Sequence, residues 1–331
     1  MTTILTQETG DRFRASWYDL VLFIVVIPLI KNRMNYLPID YIEPVFRPPS
    51  EARSLILQVS NGCSYNKCTF CEMYTAEQKK FKPKTIAKIE EEVKAVAIQM
   101  SGMTRFFLAD GDAMTLSFRR LKEILQCINR YFPKLERVTA YCLPRNIKNK
   151  SIEELAELRQ LGLTMVYVGC ESGDDKVLEC VQKGETFESS KAALLKLKAA
   201  GIKSSVMILN GLGGRKFSEQ HAINTARLMN ETQPEYVSTL VVSFPVGDDR
   251  FKAGFQGDYD ALQQNELFNE IRTFIANLEL DDTVFRSDHA SNYLVLRGQL
   301  GADKQQILDK IDLALNQPEA ISLRQEWQRG L

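Results

Sequence analysis

The chain has 331 residues, 44% hydrophobic and 25% charged, with 42 Lys plus Arg against 42 Asp plus Glu. That length buries a large core as one big domain or as two, and the neutral balance leaves no basic field for nucleic acid and no field of either sign for an anionic membrane. Seven cysteines, an odd number with three of them crowded into nine positions, make a poor disulfide framework and read as metal or redox chemistry in a reducing, cytoplasmic compartment.

Residues 1–50 read as an N-terminal leader or extension. The run from Leu20 to Ile30 is almost purely apolar. It is too short for a stable membrane span, which needs about 20 apolar residues, and long enough for a signal-peptide core. No small-x-small cleavage site follows it, and Met34 offers an alternative initiator that would make the leader dispensable. From Ser54 onward, apolar strands alternate with amphipathic helices. "SLILQVS" (54–60) is followed by a helix near 85–100, "TRFFLA" (104–109) by one at 118–132, and "RVTAYCL" (137–143) by one that opens with the capping box of Ser151 and Glu154 and stops at Gly162. "LTMVYVGC" (163–170) precedes a helix ending at Gly201, "IKSSVMIL" (202–209) one near 218–230, and "EYVSTLVVSF" (235–244) one near 259–280.

Six βα units whose strands have no wet face predict parallel strands buried on both sides, as a doubly wound sheet or a barrel. Without an antiparallel pair, the favoured fold is a partial (β/α)6 TIM-like barrel spanning residues 51–280. Residues 281–331, with a helix near 303–316, form a C-terminal extension placed to close the open side over a substrate. In such architectures the loops after the strands converge on one face, which carries the site. There lie Cys63, Cys68 and Cys71, then Asp110, Gly111 and Asp112, Pro144 and Arg145, Glu171, Ser172 and Gly173, Asn210 to Gly214, and Pro245 to Asp248.

Three thiolates suffice for three irons of a [4Fe–4S] cluster and leave the fourth open to a small molecule. With Phe70 before Cys71, "ADGD" (109–112), "VGCESGDDKVL" (168–178) and "GIKSSVMILNGLGG" (201–214) in order, residues 54–250 resemble the radical S-adenosylmethionine (SAM) superfamily, and within it the Elp3/MiaB/NifB-type core. The resemblance implies a [4Fe–4S] cluster on Cys63, Cys68 and Cys71 with SAM on the fourth iron. It places Phe70 beside adenine, Asp110, Gly111 and Asp112 along the SAM amino group, and Glu171 with Ser172 near the ribose or the methionine amine. It also sets Arg145 facing the carboxylate, and Asn210, Gly211, Pro245 and Val246 around adenine. The implied reaction is reductive cleavage of SAM to a 5′-deoxyadenosyl radical that takes hydrogen from an unidentified small-molecule or protein substrate, fed by a flavodoxin- or ferredoxin-type electron donor.

The spacing departs from the family's C-x3-C-x2-C: four residues, Ser64 to Lys67, separate the first pair. C-x4-C-x2-C also begins plant-type [2Fe–2S] ferredoxins, which need a fourth cysteine. An electron-transfer or cofactor-binding protein without SAM turnover is therefore the alternative. Zinc would need a distant ligand, since His221 and His289 are the only histidines. As further candidates for the chemistry, Cys142 and Cys170 end neighbouring strands where they could enter the cavity, and His289 and Tyr293 lie in "RSDHASNY". His221 reads as a surface residue. No second cysteine cluster follows the core, and the neutral chain does not favour RNA as substrate.

Overall fold

The computed structural model describes residues 37–244 and 247–329. The apolar run at Leu20 to Ile30, Met34, Pro245 and Val246 lie outside the described residues. β1 (Leu55–Gln58) leads into a two-residue strand, β2 (Ser60–Asn61), which pairs antiparallel with β3 (Lys82–Pro83), so the cysteine loop is tied at both ends. Then follow α1 (Ile86–Gln99), β4 (Arg105–Ala109), α2 (Phe118–Tyr131), β5 (Arg137–Cys142), α3 (Arg145–Lys148), α4 (Ile152–Gln160) and β6 (Leu163–Glu171). The chain continues through α5 (Asp175–Cys180), α6 (Phe187–Ala199), β7 (Lys203–Asn210), α7 (Gly214–Thr232), β8 (Tyr236–Val241), α8 (Asp249–Gly254), α9 (Gln264–Ala276), β9 (Thr283–Ser287), β10 (Leu296–Leu300) and α10 (Lys304–Asn316).

One eight-stranded sheet runs in the order β1-β4-β5-β6-β7-β8-β9-β10. It is parallel through β9, with β10 antiparallel at the edge. This is the partial TIM-like barrel, open between β1 and β10. The extension contributes β9 and β10, which continue the sheet beside β8 instead of pairing with β1.

Side chains alternate along the strands, because successive residues point to opposite faces. Phe106, Leu108, Val138, Ala140, Val166, Val168, Val206, Val237 and Phe285 face outward and pack with the apolar stripes of the helices in the main core. Ile56, Phe107, Ala109, Met165 and Tyr167 face inward with Tyr41, Tyr141, Met207 and Tyr236. Phe107 meets Tyr141 edge-on at 5.0 Å between centroids.

Helix ends follow their caps. Thr85 and Ser117 accept from the backbone of α1 and α2, and the Ser151–Glu154 capping box opens α4. The single helix expected between β6 and Gly201 is two. Gln182 and Gly184 take positive φ after α5, and Thr186 starts a fresh capping box with Ser189 for α6. The short α8 was not legible in the periodicity.

Residues 37–52 run beside β1 from the mouth of the barrel, at Ile42, to its N-terminal end, at Glu51. Tyr41 donates to Ile56 O at 2.7 Å, and Ser50 Oγ lies 2.7 Å from the Tyr167 hydroxyl. The Glu51 carboxylate, fully buried, accepts from Tyr167 at 2.6 Å and pairs with Arg137 at 2.5 Å. Removing one member of a buried pair leaves the other uncompensated. Glu51→Ala should therefore lower the unfolding free energy by about 3 kcal/mol, read as an earlier urea midpoint at unchanged slope. An unchanged midpoint would show that the strap contributes nothing.

Candidate metal and cofactor site

The cysteine loop is held by the two acids after β4. Asp110, fully buried, pairs with Lys79 and accepts from Gly62 N and Gln58 Nε2, both at 3.2 Å. Asp112 Oδ1 accepts from Ser64 N at 2.8 Å, and its Oδ2 from Ser64 Oγ at 2.5 Å and Asn146 Nδ2 at 3.1 Å. Burial pushes the Asp112 carboxyl up, against the pull of its donors in Ser64 and Asn146. Between the acids, Gly111 sits so close to the loop that a Cβ would lie 2.5 Å from Gly62 O and 2.6 Å from Cys63 Cα. The far side is tied by Thr69 N to Val181 O at 3.0 Å, Tyr65 to Gln182 O at 2.9 Å and Arg250 to Cys71 O at 3.1 Å.

Cys63 and Cys71 are half-buried, Cys68 is buried, and all three are free thiols. Burial pushes Cys63 up to about 11 and Cys71 up to about 12, and raises Cys68 as well. The three lie near enough for each other's charge to add to that rise in Cys63 and Cys71. Lys183 opposes it at Cys68 and Cys71. Among the described residues no three His, Cys, Asp or Glu side chains converge on one ion position. The donor set nevertheless fits a polynuclear group, because soft sulfur suits iron–sulfur and a cubane takes one thiolate per iron. A coordinated thiol is deprotonated by the metal whatever its free affinity for the proton.

Lys183, in the break between α5 and α6, is the residue missed by sequence reasoning. Buried at the mouth, it pairs with Glu171 at 3.1 Å and lies 5.6 Å from the Phe70 ring. Desolvation lowers its proton affinity, but the charges of Glu171 and Cys68 more than reverse this, so the ammonium is held strongly. The turn and capping residues "QKGET" were the available signal. Glu171 takes φ 65 at a bulge at the end of β6, and Gly169 leaves the room that this pair fills. Phe70 packs on a second apolar cluster with Leu212, Phe244, Phe251 and Tyr259.

Other expected residues are engaged elsewhere. Arg145 holds Glu185 at 2.8 Å and stacks 3.8 Å over the Tyr65 ring. Ser172, fully buried, sits 2.7 Å from Nδ1 of His221. His221 Nε2 donates to Leu209 O at 3.1 Å, so Ser172 Oγ donates to Nδ1. His221 is therefore a buried tie between β6 and α7 and not a surface residue; an early helical position faces inward when its helix packs from its first turn. Asn210 lines a cavity of about 10 Å³, room for one water, between β7, α7 and α9. Gly211, at φ 80, donates to Glu270 at 2.6 Å.

Cys142 and Cys170 do not enter the barrel. Strand alternation turns both into the helix-facing core, where burial raises both thiols, Cys170 to about 12. Tyr293 donates to Glu326 at 2.6 Å and lies under Arg329, on the C-terminal tail and away from the inner wall. His289 follows β9 on the mouth side with Nδ1 2.9 Å from Ser291 Oγ; burial and the nearby Arg324 hold its proton affinity down.

An open parallel barrel with three thiols on the loop after its first strand is an iron–sulfur enzyme architecture. The chain matches the model of the Radical SAM superfamily over residues 57–229, more than half its length, and belongs to that superfamily. The superfamily's cofactors are a [4Fe–4S] cluster and SAM, and its members are enzymes. A putative methylthiotransferase of Methanocaldococcus jannaschii is 27% identical over 204 residues, covering 59% of this chain and 43% of that protein. The heme chaperone HemW of Bacillus subtilis is 23% identical over 137 residues, covering 41% and 36%. The chain thus spans less than half the length of either. Among solved structures, coproporphyrinogen III oxidase (HemN) from Escherichia coli aligns at TM-score 0.51 and 15% identity over 67% of this chain and 51% of that one, a likeness of fold alone. No helix among the described residues is long and apolar enough to cross a membrane.

Two outcomes follow. Gly111→Ala should force the 109–112 turn away from the loop, giving a folded protein by circular dichroism that takes up less than about half the iron of the wild type after anaerobic reconstitution. Full iron uptake would refute the close-approach argument. For His289, a folded-state pKa held below its unfolded value contributes stability that is present above about pH 6.5 and lost as the pH falls below it. His289→Gln should flatten the decline of melting temperature between pH 7 and pH 5, and an unaltered profile would remove His289 from that decline.

Proposed function

We propose that this chain performs the radical SAM reaction with Cys63, Cys68 and Cys71 holding three irons of the cluster and SAM bound at the fourth. The observation that carries the reading is the three-thiol loop clamped by Asp110 and Asp112 over the mouth of a barrel with an aromatic inner wall. Bound there, the cluster and SAM supply reductive cleavage of a sulfonium, giving methionine and a 5′-deoxyadenosyl radical able to take a hydrogen atom from a substrate.

The chain's own residues orient and protect. Phe70 offers a flat apolar face for adenine, continuous with Leu212 and Phe244. Lys183 presents a fixed cation to the methionine carboxylate, a task expected of Arg145, whose guanidinium is committed to Glu185. Glu171, at the same point, is placed for the ribose hydroxyls or the amine. Asp112 would serve the SAM amino group only alongside its hold on Ser64. The inner wall of Phe107, Tyr141, Met165 and Tyr167 keeps water from the reacting carbon. The catalytic unit would be residues 51–280, with 281–331 completing the substrate side. The substrate is a small molecule or a protein side chain, and a flavodoxin- or ferredoxin-type donor in a reducing cytoplasm supplies the electron.

The test is anaerobic reconstitution with iron and sulfide, reduction by dithionite and addition of SAM. About four irons per chain and 5′-deoxyadenosine formation, both lost in Cys71→Ala, are expected. Two irons, or a cluster that leaves SAM intact, would instead favour an electron-transfer protein.

A further inference from the structure

The acids along the barrel's interior each have a partner: Glu51 has Arg137, Asp110 has Lys79, Glu171 has Lys183, and Asp112 has Ser64 and Asn146. Among the described residues, Arg286 is an interior cation without one. Arg286 on β9 pairs in register with Ser238 on β8, while the preceding pair, Val237 and Phe285, is buried in the helix-facing core. Arg286 and Ser238 therefore point inward, on the face that carries Tyr236 and Met207. Arg286 is exposed, it donates to the Phe285 carbonyl at 3.3 Å, and no carboxylate among the described residues lies within ion-pair reach.

Directly across the antiparallel pair stands Arg297, in register with Arg286 and so on the same face. Asp288, two residues along the chain from Arg286, is taken by Arg297 at 2.7 Å. Like charges directly opposite one another on a sheet are destabilising. The fold carries this like-charge pair, in which Asp288 compensates Arg297 alone, on the inward wall, where Tyr141, Met207, Tyr236 and Ser238 are only half-buried while the outward residues of the same strands are sealed. An exposed guanidinium beside a serine and half-exposed aromatics is a fork for a planar or tetrahedral oxyanion attached to an apolar body.

The geometry points to Arg286, with Ser238 beside it and Arg297 opposite, as the anchor for an oxyanion of the substrate, which is then an amphipathic carboxylate or phosphate. This rests on the reading of the barrel mouth as a radical SAM site and names the substrate class for it. The anchor lies on the C-terminal extension, so the extension selects the substrate while the cysteine loop serves the cofactors. Arg286 binds and orients; it moves no proton.

The experiment is anaerobic calorimetric titration of the reconstituted full chain with 3-phenylpropionate, phenyl phosphate and the neutral 3-phenyl-1-propanol. Both anions, or one of them, should bind roughly tenfold or more tightly than the alcohol, the worth of one charge-assisted hydrogen bond pair; the tighter anion distinguishes carboxylate from phosphate. Arg286→Gln should abolish the preference, Arg286→Lys should keep part of it, and Arg53→Gln, on the outer surface, should keep all of it. Arg286→Gln should also melt no lower than the wild type, since it removes a like-charge contact. Anions that bind no better than the alcohol, or a preference that survives in Arg286→Gln, overturn the proposal. SAM cleavage without added probe is scored separately. A chain that cleaves SAM but ignores the anions loses only the anchor, and one that binds anions through Arg286 but never cleaves SAM loses only the radical reaction.

Discussion

The site depends on one buried carboxylate. Asp110 gathers Lys79 from the far end of the cysteine loop, Gly62 from its start and Gln58 from the end of β1. Gln58 and Lys79 in turn both reach Ile42 in the N-terminal strap. A carboxylate away from water is tolerable only if paired and hydrogen-bonded, and a lysine equally so. The pair therefore fixes where the loop begins and ends relative to β4, and Gly111 lets the next turn come down onto it. Loop, strap and the first two strands of the sheet, β1 and β4, are thereby one cooperative unit.

Division of labour follows from the pleat. The outward residues of the parallel strands make the core that stabilises the fold, and the inward residues line the barrel's interior. Cys142 and Cys170 illustrate the rule: they sit near the mouth in sequence terms, yet their parity on β5 and β6 turns them into the hydrocarbon layer. Parity also separates His221 and Ser172, which brace α7 against β6, from Glu171 one residue earlier, which faces the mouth with Lys183.

Much of this was legible in the residues. The six strands showed as apolar runs, most helices as 3.6-residue stripes with readable caps, and the cysteine loop as spacing alone. What escaped depended on tertiary context. The α5–α6 break is marked in sequence only by Gly184 and the Thr186 cap, and its other positive-φ residue, Gln182, gave no warning. β9 and β10 are short and interrupted by charged residues, as an edge facing a wet interior allows, so they lacked the apolar signature of buried parallel strands. The acids of "ADGD" were readable as residues of the loop after β4 at the barrel mouth, but sequence could not show that their oxygens grip the cysteine loop's backbone and side chains.

Protein groups anchor the cysteine loop at its ends and along its length: the β2–β3 pairing, the two acids after β4, Thr69 on Val181 and Arg250 on Cys71. In a zinc finger the metal supplies the folding energy and the apo chain collapses. Here the scaffold is preorganised. Chelation would strip the centre without melting the polypeptide, so an iron-starved cell would hold a dormant reservoir of folded protein that resumes work when iron and sulfide return.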